Sequence, residues 1–214
     1  MSPSQTASNI HSLREFKDGL AVRPCQETDY AWLYDLLERS FPEEECASKA
    51  QMREWFKRET SRAFIMLANE PDRAPQRIGF FLGSQLDGFF FGEYMAVDPQ
   101  MRNKGYGRRF FYRLEDILNQ PMVFECELPE DSEMARRRYE FYLRLGFFHY
   151  EYDYAMPALR EGDDPIPMCL MGGVTRIDQD KLDDVVQEIY LKGYPHVISL
   201  KTNEELVEDV IEIA

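Results

Sequence analysis

A basic loop with two closely spaced glycines is the stretch of this sequence whose residue types best suit binding chemistry. It lies between an apolar, strand-like segment and an amphipathic helix. Amides at a helix N-terminus lack intrahelical partners and the helix dipole is positive there, so this position attracts anions. Gly105 permits a tight turn and Gly107 a close backbone approach, while Arg102 adds positive charge. We interpret the loop as a diphosphate site formed by Arg102, Asn103, Lys104, Gly105, Tyr106, Gly107 and Arg108.

Two common phosphate-binding patterns do not fit this chain. A P-loop requires Lys and Ser or Thr after its second glycine. Gly83 and Gly88 have the glycine spacing, but Phe89 and Phe90 follow. A dinucleotide fingerprint requires a third glycine, and Phe110 stands at that position. If the loop binds a diphosphate, it does so by neither the P-loop nor the dinucleotide pattern.

The elements that would position this loop are two or three adjacent strands before it and a helix after it. The strand before it spans residues 89–97 and ends at Asp98-Pro99. The helix after it carries one apolar face, formed by Phe110, Phe111, Leu114, Ile117 and Leu118. Further strands are predicted at 20–24, 63–68, 77–84, 122–128, 147–156 and 167–171, and further helices at about 28–40, 47–60 and 132–145. The pattern predicts an α/β fold in which adjacent strands give the loop a rigid platform.

The residue pattern divides the chain into three parts. Residues 1–18 are predicted to form a flexible arm, residues 19–172 the main domain, and residues 173–214 a helical appendage. The appendage is predicted to contain a helix capped by Asp178, an edge strand over 197–200 and a second helix opened by the capping box 202–205. Its apolar stripes require a partner surface, either on this chain or on a second copy in a homodimer.

The composition limits the classes of partner. A net charge of −14 argues against nucleic acid, whose binding depends on clustered Lys and Arg, and is compatible with a cationic substrate. The four cysteines form no C-x-x-C pair, and the N-terminus lacks the apolar core of a signal peptide. No apolar run reaches membrane-spanning length. We expect a cytoplasmic protein with reduced thiols and no membrane partner.

Two motifs resemble the signature of the GNAT superfamily of N-acetyltransferases. The first is Val97-Asp98-Pro99 followed by the loop 102–107, and the second is the segment Phe141–Phe147, which reads Phe-Tyr-Leu-Arg-Leu-Gly-Phe. The resemblance covers about residues 20–171, and we identify the chain as a bacterial-type member without an assigned substrate. It implies a layered α+β arrangement, with a mixed, mostly antiparallel sheet flanked by helices and split near its middle to admit acetyl-CoA.

The same resemblance implies roles for named residues. The backbone of Met95, Ala96 and Val97 would hold the pantetheine arm and the thioester carbonyl. The loop 102–108 would hold the diphosphate. Tyr142 occupies the position that protonates the departing thiolate, although its place on an amphipathic helix also suits a core residue. Glu93 is the candidate base, acting through water on an ammonium group whose pKa is about 10. Glu125 is its alternative, and Glu127 follows on the same side.

The remaining polar residues suggest no other chemistry. The three histidines are isolated, no metal-ligand spacing exists, and no nucleophile triad can be argued. Arg136, Arg137 and Arg138 suit a solvated helix face, with one of them able to lie beside the cofactor. We predict direct acetyl transfer from acetyl-CoA to a primary amine of a small molecule, without a metal. The alternatives are a CoA-binding, non-catalytic regulator and a protein or peptide N-acetyltransferase.

Overall fold

The computed structural model describes residues 14–15, 18–69, 74–160 and 162–194. The strands are β1 Arg14–Glu15, β2 Leu20–Pro24, β3 Ser61–Ala68, β4 Gln76–Gln85, β5 Phe90–Val97, β6 Met122–Glu127, β7 Phe148–His149, β8 Tyr154–Met156 and β9 Ile166–Gly172. The helices are α1 Tyr30–Glu38, α2 Lys49–Trp55, α3 Tyr106–Leu118, α4 Glu133–Arg144 and α5 Leu182–Glu188. Each strand and helix that the sequence predicts within these ranges has a counterpart in the structure, and three consecutive strands, β3 to β5, precede the loop.

All the strands join one sheet in the order β1-β2-β3-β4-β5-β6-β9-β7, and β8 also pairs with β9. Every neighbouring pair is antiparallel except β5 and β6, which are parallel. The parallel pair requires a crossover, and α3 provides it. The predicted mixed, mostly antiparallel sheet flanked by helices is confirmed.

The parallel pair β5–β6 is short and leaves an opening in the sheet. It joins Phe90 to Met122, Phe91 to Val123 and Gly92 to Phe124, and no pairing follows. Strand β5 nevertheless continues to Val97 along β4. The backbone of β5 beyond Gly92 therefore has no strand partner on its β6 side. We call this opening, between residues 93–97 and 125–127, the fork.

Different helices cover the two faces of the sheet. On one face, α3 and α4 pack with Phe110, Phe111 and Phe124 in a core that contains Tyr142. On the other face, α1 and α2 cover Ile65, Phe80 and Ala96, and α5 covers Phe91 and Val123. Burial of each such aromatic side chain contributes about 2–3 kcal/mol to folding. The fork therefore lies in the sheet between two layers of packed helices.

The predicted strand over 147–156 is broken in the structure. Only β7 and β8 are extended, because the Tyr152 amide donates to the Tyr150 carbonyl and turns the chain between them. Tyr150 and Tyr154 are still buried, and His149 is exposed with its ring against Tyr139. The predicted helix over 47–60 is also shorter than expected and ends at Trp55.

The described part of the predicted appendage packs on the main domain. A 3-10 turn at Gln179–Lys181 leads into α5, which continues as a π-helical turn over Ile189–Gly193. The sequence predicts an apolar stripe on this helix, and four of its five residues are buried, while Tyr190 is half-buried. The four are Leu182, Val185, Val186 and Ile189. The predicted strand 197–200 and the capping box 202–205 lie outside the described residues. Of the predicted N-terminal arm, Arg14 and Glu15 pair with β2, so these two residues do not belong to a free arm.

Within the described ranges, no helix is both long enough and apolar enough to cross a membrane.

Candidate active site

The basic loop turns sharply before α3 begins. The Asp98 carboxylate accepts a hydrogen bond from the Gln100 amide at 2.9 Å and starts a 3-10 turn over Pro99–Met101. Gly105 has φ +75° and caps α3, as its residue type predicts. Asn103 has φ +62°, which the sequence analysis did not anticipate, although asparagine tolerates this region better than most residues.

An open cleft of about 410 Å³ runs from this loop along the end of β5. Every charged side chain that lines it is an arginine. Among the predicted cofactor residues, Met95, Ala96, Val97, Arg102 and Gly107 line the cleft. Asn103, Lys104, Gly105 and Arg108 do not line it and are exposed beside it, while Tyr106 is half-buried with Arg109 against its ring. The four lining arginines are Arg39, Arg102, Arg137 and Arg138.

Two features of this cleft suit a long ligand with amides and phosphates. The Ser40 hydroxyl is buried in its lining and has no hydrogen-bond partner among the described residues. Gly107 leaves backbone exposed in the lining of the cleft, and a Cβ atom there would lie 3.4 Å from the Phe141 ring, an ordinary contact distance. Sequence analysis missed Ser40 and Arg39, because only the fold brings the end of α1 to this place.

A smaller inner chamber of about 50 Å³ adjoins the cleft. Phe41, Met95, Arg138 and Tyr142 line both cavities, so the two meet at the fork. The chamber differs from the cleft in charge, because it is lined by four carboxylates and a single arginine. The four are Glu45, Glu93, Glu125 and Glu127.

Glu93 enters the chamber from a β-bulge. The β4–β5 register pairs Leu82 with Tyr94 and Gly83 with Gly92, which leaves Glu93 as the extra residue. Its carboxylate accepts hydrogen bonds from Trp55 Nε1 at 2.8 Å and from Ser84 Oγ at 2.7 Å. Burial raises the pKa of Glu93 to about 7, against these two hydrogen bonds and the Arg58 charge, which lower it.

Glu125 lies on the other strand of the fork. Tyr154 donates a short hydrogen bond to its Oε1 and Tyr194 donates to its Oε2 at 2.5 Å. Burial raises the pKa of Glu125 to about 7, and the two phenol hydrogen bonds oppose that rise. The appendage therefore supplies a residue of the chamber, which the sequence did not reveal.

The outer carboxylates, Glu45 and Glu127, have different surroundings. Glu127 forms an ion pair with Arg138 at 2.6 Å. The Glu45 carboxylate is half-buried, and no ion pair or hydrogen bond joins it to the described part of the chain. Burial raises its pKa to about 7, followed by the negative charge of Glu127. The charge of Arg138, the partner of Glu127, acts in the opposite direction and lowers the Glu45 pKa.

Tyr142 lies where the two cavities meet. It is 8 % exposed, on α4, and its ring packs edge-on against Phe111 and Phe124. Its hydroxyl has no hydrogen bond to any described residue, and burial raises its pKa well above the ordinary value. The phenol is therefore protonated at neutral pH. The structure brings Tyr142, Glu93 and Glu125 together at the fork.

Within the described ranges, no group of three or more His, Cys, Asp or Glu side chains has the arrangement of a metal site. The four cysteines are unpaired thiols.

Comparison with known proteins identifies the fold and the family. The sequence profile of the acetyltransferase (GNAT) family matches residues 30–147, more than half of the chain. A GNAT-family protein from Bacteroides thetaiotaomicron is similar at 34% identity over 81% of this chain and 97% of that one, with a TM-score of 0.71. No curated protein sequence matches.

More distant structures share the fold. They include the ribosomal-protein-S18-alanine N-acetyltransferase from Escherichia coli, at 17% identity over 75% of this chain and 97% of that one, with a TM-score of 0.51. Ard1 from Thermoplasma volcanium is similar at 16% identity over 74% of this chain and 99% of that one, with a TM-score of 0.54. The profile match and the Bacteroides relative assign the chain to the GNAT family, and it is an acyltransferase whose family uses acetyl-CoA as co-substrate.

Proposed function

We propose that this enzyme transfers the acetyl group of acetyl-CoA to a primary amine of a small molecule by direct attack. The observation that carries the proposal is the division of charge at the fork. A cleft whose charged lining is all arginine meets a chamber whose charged lining is four glutamates and Arg138, and Tyr142 borders both. An anionic co-substrate and a cationic acceptor would approach each other from these two sides.

The cleft offers fitting partners for each part of the co-substrate. Arg102 and the amides of 103–107 would hold the diphosphate, with Lys104 and Arg108 beside them. The pantetheine arm would use the free backbone edge of Met95, Ala96 and Val97, and the unpartnered Ser40 hydroxyl could bond one of its amides. A backbone N–H of that edge would also donate a hydrogen bond to the oxyanion that develops during the reaction. The co-substrate itself supplies the activated acyl group.

Glu93 is the better candidate for the general base. An amine acceptor is mostly protonated at neutral pH, since its pKa is about 10, and must lose a proton before it attacks. Glu93 follows the last β5–β6 pair and is two residues from Met95, so it lies beside the acetyl end of the cleft. A carboxylate with a pKa of about 7 can take up the proton, directly or through a water in the chamber. Glu125, held by two phenols, would bind the ammonium group before that step.

Tyr142 would act on the leaving side. Its hydroxyl has no hydrogen bond to any of the residues that the structure describes, so it can donate its proton to the sulfur that departs from the acyl group. The aromatic packing against Phe111 and Phe124 fixes the ring and limits the hydroxyl to a small region at the fork.

The chamber favours a small acceptor over a protein. A peptide acceptor requires an open groove, whereas Tyr154 and Tyr194 close the chamber on the appendage side. A non-catalytic CoA-binding role would leave Glu93 and Glu125 without a purpose, although burial of two carboxylates that repel each other opposes folding.

The proposal is tested by measuring thiol release from acetyl-CoA with a panel of primary amines, secondary amines and peptides with free N-termini. We expect release with primary amines and a product that carries one acetyl group. Release with peptides alone would replace the small-molecule acceptor with a protein acceptor. Binding of acetyl-CoA without release for any acceptor would favour the regulatory alternative.

A further inference from the structure

Each carboxylate oxygen of Glu93 accepts a hydrogen bond from a different element of the fold. Trp55 Nε1, at the end of α2, donates to Oε2 at 2.8 Å, and Ser84 Oγ, on β4, donates to Oε1 at 2.7 Å. Both donor residues are buried, Ser84 completely. The Glu93 carboxylate cannot turn about its terminal carbon–carbon bond without breaking these hydrogen bonds, so the two donors fix its orientation in the chamber.

The indole ring of Trp55 is itself fixed by aromatic packing. It lies edge-on to Phe56, with ring centroids 5.2 Å apart, and Phe56 stacks on Tyr30 of α1 at 3.9 Å. An indole N–H can only donate, and it does not ionise in the pH range where a carboxyl titrates. The hydrogen bond from Trp55 therefore favours the charged form of Glu93.

Ser84 contacts Glu93 at the β-bulge. It pairs with Phe91, one residue after the shift in register between β4 and β5. Ser61 lies directly opposite Ser84 on β3, but its buried hydroxyl has no hydrogen-bond partner among the described residues. The bulge therefore brings Glu93 to Ser84 and not to the neighbouring serine.

The two inner carboxylates share no hydrogen-bond donor. The donors to Glu93 belong to α2 and β4, whereas Glu125 accepts from Tyr154 on β8 and from Tyr194 in the appendage. The candidate base and the candidate amine-binding carboxylate can therefore be altered independently.

The two hydrogen bonds also affect how readily Glu93 takes up a proton. Burial raises its pKa to about 7, and these bonds oppose that rise more strongly than the Arg58 charge does. Loss of either donor therefore raises the Glu93 pKa further, because a donor stabilises the charged form. The ionisable groups around Glu93 and across the chamber are Arg58, Glu125, Tyr94, Tyr154, Glu45, Glu127, Arg138, Tyr142 and Tyr194.

We propose that Trp55 and Ser84 are positioning residues for the base, and that they orient Glu93 and keep it charged until it accepts the proton of the amine. The inference rests on the proposed acetyl transfer with Glu93 as its base. The ammonium proton passes to a Glu93 oxygen, directly or through water, and the nitrogen lone pair then forms the amide bond as the carbon–sulfur bond breaks. Neither Trp55 nor Ser84 gains or loses a proton.

The test measures kcat against pH, at saturating acetyl-CoA and amine, for Trp55→Phe and Ser84→Ala. We expect the midpoint of the rise in kcat to move from about 7 to about 8, because one hydrogen bond to a charged group corresponds to about one pH unit. At pH 7 the charged fraction of Glu93, and with it kcat, should fall by about fivefold. KM for the amine and Kd for acetyl-CoA should stay at their wild-type values, since Glu125 and the cleft are unchanged.

Two matched substitutions provide the controls. Trp32→Phe alters the only other tryptophan, whose ring lies against Arg77, and Ser61→Ala removes the hydroxyl opposite Ser84. Both should leave the midpoint at about 7. Melting temperatures verify that each variant is folded. If Trp55→Phe does not fold, Ser84→Ala, which removes a single oxygen atom, decides the question.

Two results would overturn the positioning role. One is a midpoint that stays at about 7 in Trp55→Phe and Ser84→Ala, and the other is a loss of rate that is equal at every pH, as expected for a purely structural role. In both cases Glu93→Gln would still abolish the rise in kcat, so acetyl transfer with Glu93 as base would stand. Failure of every amine despite acetyl-CoA binding would overturn both proposals.

Discussion

Two buried ionisable side chains at the fork differ in how readily they lose a proton near neutral pH. The Glu93 pKa of about 7 lets this carboxylate exchange a proton near neutral pH, whereas burial keeps the Tyr142 phenol protonated. A base and an acid are both needed when an ammonium group loses a proton and a thiolate gains one. Burial raises the pKa of both groups, and they still differ because the ordinary pKa of a carboxyl is far below that of a phenol and because Trp55 and Ser84 donate hydrogen bonds to Glu93.

Replacement of Tyr142 by Phe removes only the hydroxyl. We expect kcat to fall by about 100-fold, which is the lower range for loss of a positioned acid, with little change in the Kd for acetyl-CoA. Thiol-release kinetics and calorimetry measure the two quantities. Tyr139→Phe, on the same helix but against His149, is the matched control and should keep both values. An unchanged kcat for Tyr142→Phe would remove its role as acid.

The pH dependence of kcat, measured at saturating amine so that amine binding by Glu125 does not contribute, should identify the base. A base must be deprotonated to act, so the rate should rise as pH increases through about 7, the pKa of Glu93. The charged and hydrogen-bonding groups around it are Ser84, Trp55, Arg58 and Glu125. Glu93→Gln should lower the rate and abolish this rise, while Glu125→Gln should raise KM for the amine. If the rise persists in Glu93→Gln and vanishes in Glu125→Gln, the two roles are reversed.

The strands and turns that carry these side chains explain why they meet. The β-bulge turns Glu93 into the chamber, and the short β5–β6 pairing opens the fork beyond it. Tyr154 and Tyr194 bond Glu125 from sequence distances of 29 and 69 residues. The chamber is therefore a tertiary feature, assembled from the sheet, the loop after α1 and the appendage.

The turn before α3 should depend on Gly105. With φ +75°, an alanine at this position would cost about 1–2 kcal/mol of stability and displace the loop. We expect Gly105→Ala to weaken acetyl-CoA binding by about tenfold in calorimetry. Gly88→Ala is a matched control, because Gly88 has φ +82°, and both positions have open space for a Cβ atom. It should lower the melting temperature similarly but leave acetyl-CoA affinity unchanged; equal losses of affinity would contradict a specific role of the loop.

A substitution in the appendage should weaken binding of the amine and leave binding of the co-substrate unchanged. Tyr194→Phe removes the hydrogen bond to Glu125, and loss of that donor raises the Glu125 pKa further, so less of the carboxylate is charged at pH 7. We expect KM for the amine to rise by about fivefold, with an unchanged Kd for acetyl-CoA. Leu191→Ala, exposed on the same segment, should behave as wild type. A change in acetyl-CoA affinity alone would place Tyr194 outside the acceptor site.

The sequence predicted the parts of this site that depend on local pattern. The glycine-spaced loop, its position before a helix and the apolar face of α3 follow from residue type and spacing. The bulge at Glu93 had one local signal, Gly92, because a glycine inside a strand often marks a bulge. The contacts of Glu125, the position of Ser40 and the inward turn of Glu45 had none, since they depend on long-range packing. The predicted strand 147–156 failed because its alternating tyrosines pack on the appendage through a turn.

Across the whole molecule, charge is unevenly distributed. The protein carries a net charge of −14, yet all charged side chains lining the cleft are arginines. An anionic co-substrate would be repelled by most of the surface and attracted at this cleft, while a cationic acceptor would be drawn to the chamber. The sheet separates the two environments, and the fork joins them where Tyr142, Glu93 and Glu125 lie.

The most direct test of acetyl transfer across the fork is a stoichiometric reaction with isotopically labelled acetyl-CoA and the primary amine that gives the fastest thiol release in the panel. Free thiol and labelled amide are quantified together, by a thiol reagent and by mass spectrometry. We predict one labelled amide for each thiol released, and loss of both products in the Glu93→Gln, Tyr142→Phe double variant that still binds acetyl-CoA. Thiol release without labelled amide, or undiminished transfer by the double variant, would contradict the proposed mechanism.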